Sequence, residues 1–199
     1  MTQSSSIPVF EAAVAAWAGG SGPVAPPAEL VAAVLVEGAS DRAAVLAAAR
    51  VLDRDLAAEG VAVLPMGGAM SVRRYVALLG ASRPGLRLRG LCDAGEVRFF
   101  ERAGLGADAI AVCRPDLEGE LIHALGERRV EELLDDEGDL RLFRMFQQQP
   151  AQRGRATAQQ LHRFLGTTSG RKEQYGRVLT AALTADALPA PLRAAASSR

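Results

Sequence analysis

Six carboxylates fall where an α/β chain places its ligands. The run VAAVLV at 31–36 leads into Glu37 (VLVEGASD), with Asp41 four residues on. LRLRGLC at 86–92 leads into Asp93, followed by Glu96 (GLCDAGE), and AIAVC at 109–113 leads through Arg114 and Pro115 to Asp116 and Glu118 (CRPDLEGE). In open parallel sheets, ligands bind beyond the carboxyl ends of the strands, and three of the four strand-like runs here end in acids. Two carboxylates about 4 Å apart repel by about 1 kcal/mol in water and roughly 4 kcal/mol at an effective dielectric of about 20, so such a cluster needs a compensating charge. Oxygen donors without a Cys/His cluster suit Mg²⁺ or Mn²⁺ rather than zinc. Sites of this kind most often handle phosphate esters, because the cation clamps non-bridging oxygens and activates water. Each acid also has a purely structural use. Asp41 and Glu96 lie in first helical turns, where the helix dipole favours them, and Asp116 is placed to cap a helix starting at Leu117. The conjunction of three strand ends favours the metal.

Lys172 is the only lysine, beside 22 arginines. A compact, rotatable ammonium is not replaced by a planar guanidinium, so the lysine marks either a role at a phosphate or a chance survivor on the surface. Other chemistries find little support. Cys92, Cys113, His123 and His162 show neither CxxC nor HExxH spacing. GTTSGRKE at 166–173 lacks the Gly before Lys and the Ser/Thr after it that a phosphate-binding Walker loop requires. No GxSxG elbow is present and no GxGxxG follows the first strand. Gly67 and Gly68, after the second strand, permit close backbone approach or simply form a tight turn.

The elements that must position these residues read as alternating strands and helices. Pro8 to Ala18 predicts a short N-terminal helix, an appendage joined through the linker GGSGPVAPP at 19–27. Then follow a doubly covered strand at 31–36, a long helix over Ser40 to Glu59 ended by Gly60, a strand at 61–65 and a helix from Ser71 through Leu79 stopped by Gly80. A third strand at 86–92, a short helix from Glu96 to Ala103, a fourth strand at 109–113, a helix to about Gly126 and further helices to Ala185 complete the chain. The pattern predicts an α/β fold, an open, mainly parallel four-stranded sheet flanked by helices, with a helical C-terminal extension. The expected divisions are 1–30 for helix and linker, 31–126 for the α/β core and 127–199 for the extension.

With 199 residues and 23 basic against 23 acidic side chains, the chain carries no global field toward nucleic acid or an anionic membrane. The charge separates locally. Asp116 to Asp139 holds ten acids against Arg128 and Arg129, whereas Arg141 to Arg177 holds eight bases against Glu173 alone. That segment, 141–177, is either a phosphate-facing surface or one of two surface stretches that attract each other. Arg153 and Arg155 in QQQPAQRGRAT, with Arg163 and Arg171, are its candidate backbone contacts. No run approaches the roughly 20 apolar residues of a membrane span, and the first thirty residues lack a secretory signal, so the expectation is a cytoplasmic protein.

VLVEGASD, followed about fifty residues later by GLCDAGE and then by PDLE, resembles a TOPRIM domain, the metal-binding, Rossmann-like α/β unit of topoisomerases, bacterial primases and several nucleases. PDLEGELIHALG and the downstream lysine are most similar to the OLD-type (overcoming lysogenization defect) endonuclease branch, and the resemblance covers about residues 31 to 180. It implies that Glu37 is a metal ligand or general acid/base and that Asp41 completes a second metal site. Asp93 matches the first aspartate of the Asp-x-Asp motif, Asp116 and Glu118 match the further acidic pair, and Lys172 resembles the catalytic lysine that stabilises charge on the scissile phosphate. Two departures stand out. Ala94 and Gly95 follow Asp93, so the second aspartate is missing and Glu96 is its only substitute. OLD-type proteins also carry an ATPase domain, which the first thirty residues are too short to form, so the chain is expected to work without nucleotide hydrolysis or with an ATPase or other protein partner.

These readings predict a phosphodiesterase, an endonuclease that nicks or cleaves DNA with Mg²⁺ or Mn²⁺ and holds the backbone through segment 141–177. RNA processing or nucleotidyl transfer is a variant of the same reading. The rival is a non-catalytic regulatory module with one structural cation, in which Phe10, Val14 and Trp17 of the N-terminal helix dock a protein partner.

Overall fold

The computed structural model describes residues 6–18, 24–166 and 170–197. Positions 19–23 of the Gly/Pro linker and 167–169 of the GTTSGRKE segment lie outside the described residues. The elements run α1 (Ile7–Ala18), β1 (Ala32–Val36), α2 (Ala39–Val51), β2 (Val61–Pro65), α3 (Val72–Ser82), β3 (Arg87–Asp93), α4 (Val97–Arg102), β4 (Ile110–Cys113), α5 (Leu117–Leu125), α6 (Glu127–Asp136), α7 (Leu140–Gln147), α8 (Thr157–Gly166), α9 (Arg171–Ala181) and α10 (Ala190–Ala196).

The sheet is four-stranded in the order β2-β1-β3-β4, and every pairing is parallel. β1 is apolar throughout and buried throughout, as a strand covered on both faces must be. Its alternate side chains divide the core. Ala32, Val34 and Val36 face α2 and the helices that follow β4, and Ala33 and Leu35 face α1, α3 and α4. Because the chain steps from β2 across β1 to β3, the strand order reverses between β1 and β3, and the crevice at their carboxyl ends is the place such sheets keep for ligands.

The structure revises the sequence-based elements at three points. The helix expected over Ser40 to Glu59 ends at Val51, because Asp53 adopts a left-handed φ of 55°. Arg54 N then donates to Ala49 O at 2.9 Å and Asp53 N to Arg50 O at 3.0 Å, a Schellman-type stop with aspartate in place of the usual glycine. Gly80 does not end α3, which continues to Ser82. The N-terminal helix is no appendage: Ile7, Phe10 and Val14 are buried in the sheet's second core, and Trp17 stands edge-on to Tyr75 at 5.7 Å. Its Glu11 takes the place of a neighbouring strand, accepting from Val63 N at 2.7 Å while Arg42, paired to Glu11 at 2.6 Å, donates to Val63 O at 3.2 Å. Edge strand β2 is thereby closed to pairing with another chain. The helices beyond residue 126 form the expected helical extension and pack on the sheet. Phe143, Leu161, Phe164, Leu165 and Tyr175 are buried in the same core as Val34, Val36 and Leu121.

Candidate metal centre

Glu37 leaves β1 and Asp93 ends β3, side by side at the reversal of strand order. Asp93 N points at Glu37 Oε1 over a long 3.5 Å, and Asp93 Oδ1 accepts from Leu117 N at 3.2 Å, which ties β3 to the start of α5. Asp41, in the first turn of α2, accepts from Gly38 N at 2.9 Å. Gly67 and Gly68, with φ of 73° and 119°, turn the chain back over the crevice, and Gly68 N donates to Glu37 O at 2.9 Å. Side chains rarely adopt these angles, so the backbone itself forms that wall. Glu37, Asp41, Asp93, Glu118, Gly67, Gly68 and Lys172 all line one cavity of about 270 Å³.

Lys172 arrives from far along the chain. α9 packs along α2 so closely that a Cβ on Gly176 would lie 2.6 Å from Ser40 O, and this approach carries Lys172, one turn earlier, to the acids. Its Nζ lies 3.1 Å from Glu118 Oε1. Burial works against the ammonium, but Glu118, Asp41 and Asp93 together raise its pKa above the ordinary lysine value.

One ammonium does not balance the acids. Burial first, then the charges of Glu37, Asp116 and Glu118, raise Asp93 to about 6. Burial, with Asp93 and Glu118 nearby, raises Asp41 to about 6. Glu37 is raised as well, by burial and then by Glu96. Glu96 therefore lies near the site and acts on Glu37 through its charge, although it does not line the cavity. The donor set is oxygen-only, partly desolvated and short of positive charge, which fits a hard divalent cation.

Asp116 does not line this cavity and has two duties. Its Oδ1 accepts from Gly119 N at 2.8 Å and caps α5, as its sequence position allows, while Oδ2 lies 2.7 Å from His162 Nε2. Asp116, Glu118 and His162 each offer a donor atom within 4.8 Å of the others, so a cation held by Glu118 has a second set of donors on this side. Sequence reasoning missed His162, because no spacing links position 162 to position 116; only the packing of α8 on α5 brings them together.

The arginines divide. Arg155 and Arg163 line a second cavity of about 610 Å³ between α5 and α8, and Arg153 is exposed on the preceding turn. Arg171, expected as a backbone contact, instead has a side chain only 13% exposed, 3.3 Å from Asp139 and 4.3 Å from the centroid of the Phe164 ring. It joins α9 to its neighbours. Arg144 likewise meets Glu131 at 2.8 Å, so the acidic and basic stretches do in part attract each other. No helix among the described residues is long and apolar enough to cross a membrane.

Residues 31–93 match the family model "Overcoming lysogenization defect protein-like, TOPRIM domain". Solved structures share the fold. The C-terminal region of the Burkholderia pseudomallei OLD protein is 20% identical, with a TM-score of 0.58 over 83% of this chain and 94% of that one. The C-terminal region of the Xanthomonas campestris pv. campestris OLD protein is similar in two structures: 23% identical with a TM-score of 0.60 over 85% and 94%, and 25% identical with a TM-score of 0.58 over 83% and 90%. No curated protein matches.

Proposed function

We propose, from the premise that this chain carries a TOPRIM domain of the OLD-like family, that it is a divalent-metal-dependent phosphodiesterase that nicks or cleaves DNA. The observation that carries this reading is the convergence of Glu37, Asp41, Asp93, Glu118 and Lys172 on one cavity at the reversal of strand order. Glu37, Asp41, Asp93 and Glu118 would hold Mg²⁺ or Mn²⁺, with Asp116 and His162 within reach of Glu118 and Glu96 adding charge beside Glu37. When bound, the cation supplies Lewis-acid polarisation of the phosphoryl oxygens and acidifies a coordinated water.

The chain's own residues do the rest. Gly67 and Gly68 present bare backbone to the incoming phosphodiester. Lys172, parked on Glu118, has a rotatable stem whose ammonium can turn to a non-bridging oxygen and stabilise the charge that builds there. Glu37, raised by burial, is the carboxylate placed to hold or take a proton at Oε1 or Oε2. Arg153, Arg155 and Arg163 supply sequence-independent backbone contacts with a steep salt dependence. The family resemblance also makes an ATPase the protein partner to seek.

Plasmid nicking with Mg²⁺, with Mn²⁺ and with EDTA tests the reading. The expected result is metal-dependent cleavage that Glu37→Gln and Lys172→Ala each reduce by about 10²–10³-fold with the fold intact. Absence of cleavage with either metal, on duplex or single-stranded DNA, overturns it and leaves RNA as the next substrate to try.

A further inference from the structure

The cavity between α5 and α8, at about 610 Å³, is more than twice the size of the acidic one and lies in the range of ligand pockets, about 300–1,000 Å³. Its floor is apolar, formed by Pro115, Ile122 and Ala158, and its walls carry His123, His162, Arg155 and Arg163. The one acid there, Glu127, is engaged by Ala158 N at 3.0 Å. The two cavities share no lining residue but adjoin, since donor atoms of His162, which lines this one, and of Glu118, which lines the acidic one, lie within 4.8 Å of each other. His162 is wall to this cavity and bonds Asp116, while Pro115 and Gly119 flank Asp116 in the same turn.

We propose that this cavity takes a nucleotide of the substrate strand next to the phosphate held at the acidic site. Imidazole rings and guanidinium planes stack on bases, the apolar floor takes the ring edges, and Arg155 and Arg163 pair with the flanking phosphates. No Trp, Tyr or Phe lines it, so stacking falls to His and Arg, and the pocket favours no particular base. The inference rests on the phosphodiesterase reading for its substrate but not for its test.

That test is binding of a short fluorescent oligothymidylate in Ca²⁺, a hard cation suited to oxygen donors, with the oligomer's length checked after binding so that cleavage plays no part. Gln159→Trp fills the cavity mouth from an exposed position on α8, Arg163→Glu reverses a wall charge, and Arg102→Glu, on α4 across the sheet, makes the same change in net charge elsewhere. With melting temperatures unchanged, the first two are expected to weaken binding about tenfold or more and the third less than about twofold. Thymidine monophosphate should compete only at far higher concentration. Binding of both cavity variants at wild-type strength overturns the inference even if the wild type cleaves plasmid. Thymidine monophosphate binding as tightly as the oligomer overturns it too, and makes the occupant a free nucleotide. Weakened binding by the two variants, in a protein that cleaves nothing, sustains the pocket and sinks only the cleavage reading.

Discussion

The pKa of Asp41 is raised to about 6 by burial and then by Asp93 and Glu118, and that of Asp93 to about 6 by burial and then by Glu37, Asp116 and Glu118. A carboxylate raised on folding binds more protons in the folded chain than in the unfolded one. Stability of the metal-free protein therefore falls as pH rises from about 4 to 6 and stays low above that. A divalent cation replaces the lost protons, so Mg²⁺ or Mn²⁺ should raise the melting temperature at pH 7.5 and do little at pH 5. Asp41→Asn removes one repelling charge and keeps an oxygen for Gly38 N. It should melt higher than the wild type in EDTA at pH 7.5, by several degrees if it recovers about 1–2 kcal/mol, and respond less to metal. A wild-type melting temperature in EDTA that climbs between pH 5 and 7.5 would contradict the account. The trade is typical of a site that stores repulsion for a ligand.

At the scale of elements, Lys172 is placed by helix packing rather than by any local turn. A methyl on Gly176 meets Ser40 O at 2.6 Å, and backbone cannot rotate away as a side chain can. Gly176→Ala should therefore push α9 off α2, costing about 1–3 kcal/mol and moving Lys172 away from Glu118 and the acidic cavity. Since a shift of about 1 Å near the chemistry costs on the order of 10²-fold, cleavage should fall far more than stability in paired kinetic and melting measurements. Neither Gly176 nor His162 is legible in the sequence, because each gains its meaning from a partner more than forty residues away. Glu37, Asp93 and Asp116 are legible because a strand end is a place in a topology, and alternation of apolar runs with helices fixes that topology. Asp53 shows the opposite case: a left-handed stop without glycine leaves no mark in composition, so the helix reads as longer than it is. Arg171 misleads differently, since a basic residue in a basic stretch reads as surface until Phe164 and Asp139 close around it.

At the scale of the whole molecule, one of the two cores, the one on the α2 face of the sheet, is built from both halves of the chain. Sequence order suggests a cut near Gly126, yet the face of β1 that carries Val34 and Val36 is covered by side chains from both sides of that cut. Removing 127–199 would strip Phe143, Leu161, Phe164, Leu165, Tyr175 and Leu192, all buried, and expose the apolar face of α5 together with one flank of α2. Each such side chain contributes about 1.5–3 kcal/mol of burial, and their sum is as large as the roughly 5–15 kcal/mol by which domains of this size are stable at all. A fragment of residues 31–126 is therefore expected to lack fixed tertiary structure, with flat near-ultraviolet circular dichroism and no cooperative melting transition. It should also fail to bind metal, because the helix that brings Lys172 to Glu118 and braces the first turn of α2 is gone. A fragment that melts cooperatively would return the basic half to the status of a separable module and would move the search for its role to a partner. The helices that wall the 610 Å³ cavity also close the core, so the shape of that cavity and folding stability are coupled through α8.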